Sequence, residues 1–128
     1  MGALLDTHAL IWWLDGDLRV SQRLRKRLST PDEDVFVSAA SAWEIATKAR
    51  LGKLTAPKAL LADFAGAVET LGFLPLPIDL RHGQEAGQMR GAHRDPFDSM
   101  LAAQARVEHL TLVSADPAFQ MLGVATFW

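Results

Sequence analysis

Four acids at four separate places in the chain are candidates for shared chemistry: Asp6, Glu44, Asp98 and Asp116. Asp6 closes the apolar run Ala3-Leu4-Leu5, and Asp116 follows Thr111-Leu112-Val113. Glu44 sits inside the helical pattern after Val35-Phe36-Val37, and Asp98 lies in the first turn of a pattern opened by Asp95-Pro96. If the apolar runs are neighbouring parallel strands, all four acids fall on one edge, beyond the strands' carboxyl ends, where open parallel sheets place their functional crevice. Taken singly, each acid has a local use: Asp6 as a helix cap, Glu44 as an i,i+4 partner of Lys48, Asp98 as a first-turn charge, Asp116 as a turn residue before Pro117. Taken together, they repel and raise one another's pKa unless a cation compensates. Oxygen ligands, with no Cys in the chain and no His required, suit Mg²⁺ or Mn²⁺ better than a closed zinc site. Such an ion polarises a phosphoryl group and lowers the pKa of a water that attacks in line, and two ions share the attacking and leaving oxygens. The chemistry is that of phosphodiester hydrolysis.

The acids need a scaffold, and 128 residues, 49% of them hydrophobic and 22% charged, describe a single globular domain over 1–128. The absence of Cys excludes disulfides, thiolate metal sites and Cys nucleophiles. A formal net charge of −2 gives no global attraction to nucleic acid, so such binding would rest on local basic patches or bound cations. No basic stretch precedes a long apolar run at the N-terminus, so neither a signal peptide nor a membrane span is expected and a cytoplasmic location is.

Hydrophobic spacing predicts strands at Ala3–Leu5, Val35–Val37, Phe73–Leu76, Thr111–Val113 and Val124–Thr126, the third at a sheet edge because of its prolines. Helices are expected from His8 to Leu14, stopped near Gly16, and from a Ser21 cap to Leu28, with Val20, Leu24 and Leu28 inward. A third spans Ser38 to Leu51 with Ala42, Ile45, Ala46 and Ala49 on one face. One helix opened by Pro57 and ended by Gly72 carries Leu60, Leu61, Phe64, Val68 and Leu71 as its inward stripe. Two more run from Asp79 to Met89 and from Pro96 to Glu108. Pro96 suits a first helical position, Asp95 caps it, and Asp98 becomes the third helical residue. Strands alternating with helices make an α/β sandwich around a mostly parallel sheet.

The segments Leu4-Leu5-Asp6-Thr7-His8-Ala9-Leu10-Ile11-Trp12-Trp13-Leu14, Val37-Ser38-Ala39-Ala40-Ser41-Ala42-Trp43-Glu44-Ile45, Gly52-Lys53-Leu54, His93-Arg94-Asp95-Pro96-Phe97-Asp98 and Leu112-Val113-Ser114-Ala115-Asp116 resemble, in this order, the PIN-domain toxins of the VapC type. The resemblance covers essentially the whole chain. It implies a PIN-like three-layer α/β/α sandwich with a mostly parallel central sheet, Mg²⁺- or Mn²⁺-dependent ribonuclease activity, a cognate antitoxin that blocks the site, and a homodimer. The family's acidic quartet falls on Asp6, Glu44, Asp98 and Asp116, which it casts as catalytic and metal-holding. Asp95 matches an additional acid of this branch, and Thr7 and Ser114 match hydroxyl positions beside the metal. Ser99 stands where many relatives carry Arg, so that position offers no cation to hold phosphate.

His8, His82, His93 and His109 show no metal-ligand spacing and are expected to be structural or exposed, except that His93 beside Arg94 could meet phosphate at the rim. Trp12, Trp13 and Trp43 could stack bases, but core or antitoxin contact is favoured. Arg23, Arg25, Lys26 and Arg27 form a charged surface open to solvent, RNA or an acidic antitoxin segment. Lys48, Arg50 and Lys53, nearer Glu44, are the better RNA-backbone candidates. The expectation is a metal-dependent endoribonuclease toxin. Two alternatives stand beside it. A Mg²⁺-dependent phosphatase with Asp6 as nucleophile is weakened because Thr7-His8 supplies no second acid two residues on, and a non-catalytic PIN-fold interaction module is weakened because all four acids are present.

Overall fold

The computed structural model describes residues 2–90 and 95–128. Its strands β1 (Gly2–Leu5), β2 (Asp34–Ser38), β3 (Leu74–Leu76), β4 (Thr111–Val113) and β5 (Thr126–Phe127) form one sheet in the order β3-β2-β1-β4-β5, and every pairing is parallel. β1 lies in the middle, with Leu4 opposite Phe36 and Leu112, and Leu5 opposite Val37 and Val113. Consecutive strand residues point to opposite faces, so Leu5 enters one core with Leu10, Leu24, Ile45 and Val68, and Leu4 enters another with Leu101, Ala105 and Phe119. A sheet covered on both faces needs no polar alternation, which is why its strands read as short apolar runs. The result is an α/β/α sandwich.

The helices are α1 (Thr7–Asp15), α2 (Gln22–Leu28), α3 (Ala39–Arg50), α4 (Lys58–Ala62), α5 (Phe64–Thr70), α6 (Leu80–Gln88) and α7 (Pro96–Val107). Local caps set most of their starts. Ser21 accepts from the Leu24 amide at 3.1 Å, and Asp95 accepts from the Phe97 amide at 2.9 Å, with Pro96 in the first turn of α7. Gly16 ends α1 at φ 62°, a conformation that favours glycine. No helix among the described residues is long and apolar enough to cross a membrane.

Four local expectations are corrected. The single helix from Pro57 to Leu71 is two helices, because Asp63 is extended (φ −155°) and its carboxylate caps the Gly66 amide at 3.1 Å. A Cβ at Gly66 would lie 2.3 Å from that carboxylate, so the break and the glycine belong together. With the helix interrupted, Leu61 leaves the inward stripe and is 49% exposed. In α3 the buried residues are Ala40, Ser41, Glu44 and Ile45, not Ala46, which is exposed; the helix turns a polar side chain pair toward α1. The last strand is Thr126–Phe127, while Val124 packs in the Leu4 core and Pro117–Leu122 forms a 3-10 turn that buries Phe119.

A buried polar chain ties the sheet to α7. Ser38 Oγ accepts from the Ala40 amide at 2.9 Å and donates to Gln104 Oε1 at 2.5 Å, and Gln104 Nε2 donates to the Pro77 carbonyl at 3.3 Å. Among the described residues no buried side-chain nitrogen or oxygen lacks a partner. Ser38→Ala would strip Gln104 of its acceptor's donor and is expected to cost about 2 kcal/mol in urea unfolding. Adding Gln104→Leu removes the stranded group, so the double variant should lose less than the two single costs combined; strict additivity would contradict the coupling.

Candidate functional site

The carboxyl ends of β1, β2 and β4 open on one pocket of about 540 Å³. The Asp6 amide donates to the Val113 carbonyl at 3.0 Å, so the ends of β1 and β4 lie side by side. Asp6, Thr7, His8 and Trp12 from the start of α1 line the pocket, with Glu44 and Lys48 from α3, Asp95 and Asp98 from the start of α7, and Asp116 from the loop after β4. α3 begins at this edge because it leaves β2 there, and α7 begins here because it must return to the start of β4. The four predicted acids are therefore brought together, and Asp95 joins them.

Each carboxylate is also held locally. Asp6 Oδ1 accepts from the Ala9 amide at 2.8 Å, and Asp116 Oδ1 accepts from the Ala118 amide at 2.9 Å, so both are caps as well as pocket lining. Thr7 Oγ1 donates to Glu44 Oε1 at 2.5 Å and lies 3.1 Å from Ser41 Oγ. Ser114, buried beneath the pocket, hydrogen-bonds Asp6 and accepts from the Asp116 amide at 3.0 Å. Lys48 Nζ donates to Glu44 Oε2 and stands 3.8 Å from Asp95 Oδ2.

The electrostatics follow from crowding and burial. Burial pushes the Asp6 carboxyl up to about 6 and the Asp98 charge adds to this, against the Ser114 and Ala9 hydrogen bonds and the nearby His8. Partial burial works against the Lys48 ammonium, but the Glu44 hydrogen bond and the charges of Glu44, Asp95 and Asp98 outweigh it and hold its pKa above the ordinary value. Lys48 thus faces the acids, four residues on from Glu44.

Other expected residues lie elsewhere. Arg50 and Lys53 are exposed and do not line the pocket, and Ser99 does not either; its amide donates to the Asp95 carbonyl at 3.0 Å. His93 and Arg94 lie outside the described residues. His8 and Trp12 also line the pocket, their places two and six residues after Asp6 putting them on the first turns of α1. Trp43 is not in the core: it is 63% exposed. The α2 arginines are partly engaged within the protein, Arg23 and Arg27 over the Phe127 ring at 4.5 and 4.6 Å, and Arg27 paired with Glu33 at 2.8 Å.

His82 is structural, as expected, yet it does stand among potential metal ligands, with donor atoms of Asp79, His82 and Glu108 within 4.8 Å of one another. Sequence spacing hides this because Glu108 is 26 residues away. Both ring nitrogens are engaged, Nδ1 by the Asp79 amide at 3.1 Å and Nε2 with Glu108 at 3.0 Å, which fastens α6 to α7. A larger cleft of about 740 Å³ between α3, α5 and β3 is lined mainly by apolar groups such as Phe64, Val68 and Phe73 and offers little for charge chemistry.

The PIN domain family profile matches residues 3–124. The structure is similar to that of FitAB bound to an IR36 DNA fragment, at 26% identity and TM-score 0.70 over 98% of this chain and 93% of that one. It is also similar to FitAcB from Neisseria gonorrhoeae (27% identity, TM-score 0.66, 98% and 96% of the two chains). VapBC2 from Rickettsia felis, bound to a DNA fragment from its promoter, shares the fold at 13% identity (TM-score 0.71, 98% and 96%). No match was found among curated proteins. With a profile match over nearly its whole length and an all-parallel sheet that gathers the acids at its carboxyl edge, the chain belongs to the PIN domain family.

Proposed function

We propose that this chain is a divalent-cation-dependent endoribonuclease and the toxin of a toxin–antitoxin pair. The observation that carries the reading is the convergence of Asp6, Glu44, Asp98 and Asp116 from four separate segments on one pocket. The donor set fits a hard cation: carboxylate oxygens dominate, and a lysine ammonium already stands among them as a countercharge. Those four acids would hold Mg²⁺ or Mn²⁺, which when bound supplies the charge that compensates them and polarises a phosphodiester and its attacking water.

The chain's own part is positioning. Thr7 fixes one Glu44 oxygen, Ser114 and the Ala9 amide fix Asp6, and the Asp95 cap sets the first turn of α7 that carries Asp98. Asp6 is only 7% exposed and its oxygens are engaged, which suits a ligand and argues against a phosphatase nucleophile. RNA phosphates would be met by Lys48, Arg50, Lys53, His93 and Arg94. Likeness to FitAB, and to proteins described as VapBC2 and as a toxin–antitoxin complex from Klebsiella pneumoniae, supports a cognate antitoxin partner and a homodimeric toxin.

The test is cleavage of a structured RNA with and without EDTA, with Asp6→Asn as control; undiminished cleavage by that variant would overturn the assignment. Asp98→Asn is expected to lower the rate by about 10²-fold or more with an unchanged melt. Asp95→Ala loses the α7 cap, so it should also cost about 1 kcal/mol of stability; equal melts for the two variants would show that Asp95 is no cap. The pH dependence has a definite sign. Between the unfolded value near 3.8 and the folded value of about 6, native Asp6 binds more protons than the unfolded chain, so its contribution to stability falls as pH rises. In EDTA, wild type should therefore lose up to about 3 kcal/mol relative to Asp6→Asn between pH 4 and pH 7, and Mn²⁺ should restore it at the higher pH. Parallel pH profiles for the two proteins would refute the burial effect.

A further inference from the structure

Beside the acidic pocket stands an aromatic pair that the carboxylate chemistry does not use. Trp43 precedes Glu44 on α3, Phe97 precedes Asp98 on α7, and their rings meet edge to face at 4.9 Å with an interplanar angle of 74°. Each aromatic is one residue from an acid of the pocket, and one residue on a helix is a turn of about 100°, so the acids line the pocket while the aromatic pair stands next to it. Lys48 joins the two features: it hydrogen-bonds Glu44, and its Nζ lies 5.6 Å from the Phe97 ring centroid.

A tryptophan that folding leaves 63% exposed forgoes a large burial gain, and contact with Phe97 holds its ring in place while leaving much of its surface open. His8 and Trp12, which line the pocket, form a second ring pair with centroids 5.7 Å apart. A strand whose phosphate sits over the carboxylates must carry its flanking bases past these rings. Stacking on an aromatic ring tolerates any base but needs the base to be unpaired.

We propose that Trp43, braced by Phe97, is a stacking platform for an unpaired nucleobase next to the phosphate held in the acidic pocket. This rests on the reading of the pocket as a nuclease site. Trp43 is a positioning residue for the strand and takes no part in the bond cleavage.

The test uses the full chain with Asp98→Asn as a non-cleaving background, Mg²⁺, and a fluorescein-labelled single-stranded oligoribonucleotide read by anisotropy. Trp43→Ala should weaken binding about tenfold or more, whereas Trp43→Phe, which keeps a ring, should retain most of it. Annealing the oligonucleotide into a duplex should weaken the Trp43 protein similarly and change the Trp43→Ala protein much less. In the cleaving background, Trp43→Ala should raise KM with little change in kcat. If the parent cleaves in a metal-dependent way but Trp43→Ala binds and cleaves normally, the platform is refuted and the nuclease reading stands. Loss of antitoxin binding with unchanged RNA affinity would make Trp43 a protein contact and equally refute it. If the parent neither binds nor cleaves RNA, both readings fail.

Discussion

Mutual repulsion among carboxylates is the constraint around which this molecule is built. Five acidic side chains and one lysine line a single pocket, and the buried Asp6 has its carboxyl pushed up to about 6 by loss of water. A fold that only maximised stability would spread such groups over the surface. Here the opposite is enforced by topology. Parallel strands must all end on one side and each following segment must leave from that side, so Asp6 and Asp116 sit at strand exits, while Glu44, Asp95 and Asp98 sit on or at the start of helices that begin at the same edge.

The same residues solve a second problem, which explains how the crowding is tolerated. Every helix that starts at this edge presents unpaired backbone amides, and a short acidic side chain is a good acceptor for them. Asp6 caps α1, Asp95 caps α7 and Asp116 caps the 3-10 turn. Capping and clustering are therefore one arrangement seen at two scales. The hydrogen bonds and the N-terminal dipoles recover part of what repulsion costs, and they hold the carboxylates at set positions before any cation arrives. Asp98 and Glu44 are not caps. Asp98 lies in the first turn of α7, where its charge meets the helix dipole, and Glu44 lies beyond the first turn of α3, so Thr7 and Lys48 take the place of backbone donors.

This division also accounts for what could be read from the chain. Elements whose signals are local were legible: Asp95-Pro96 marks the start of α7, Gly16 the end of α1, Ser21 the start of α2, and the apolar run Thr111-Leu112-Val113 is β4 with the bounds expected of it. The gathering of the acids follows from strand ends for Asp6 and Asp116 and from helices that begin at the same edge for Glu44 and Asp98. What escaped was decided by contacts distant in sequence or by competition between weak local preferences. The spacing of Leu60, Phe64 and Val68 fits one continuous helix, and only the Asp63 carboxylate folding back on Gly66 breaks it. The rotation of α3 that buries Glu44 and exposes Ala46 depends on Thr7, 37 residues away, and no periodicity within α3 encodes it. For the same reason the sequence leaves Trp43 between core and partner contact: hydrophobic character is visible in a sequence, but which side of a helix meets solvent is settled by its neighbours, and here Trp43 is exposed.

The pocket's five carboxylates and one ammonium leave a formal charge of −4, while the whole chain carries −2, so the remainder is net positive. A phosphate-bearing strand would thus meet its strongest repulsion at the acidic pocket. Lys48 cannot reverse that repulsion, because its single charge is already shared between Glu44 and Asp95. One divalent cation would halve the local excess and two would cancel it, so occupancy of the pocket and admission of the phosphate are linked by the same electrostatics. On the proposed reading, bases, which carry no charge, would meet no such barrier and would settle on the aromatic platform, while the phosphate would enter only a compensated site.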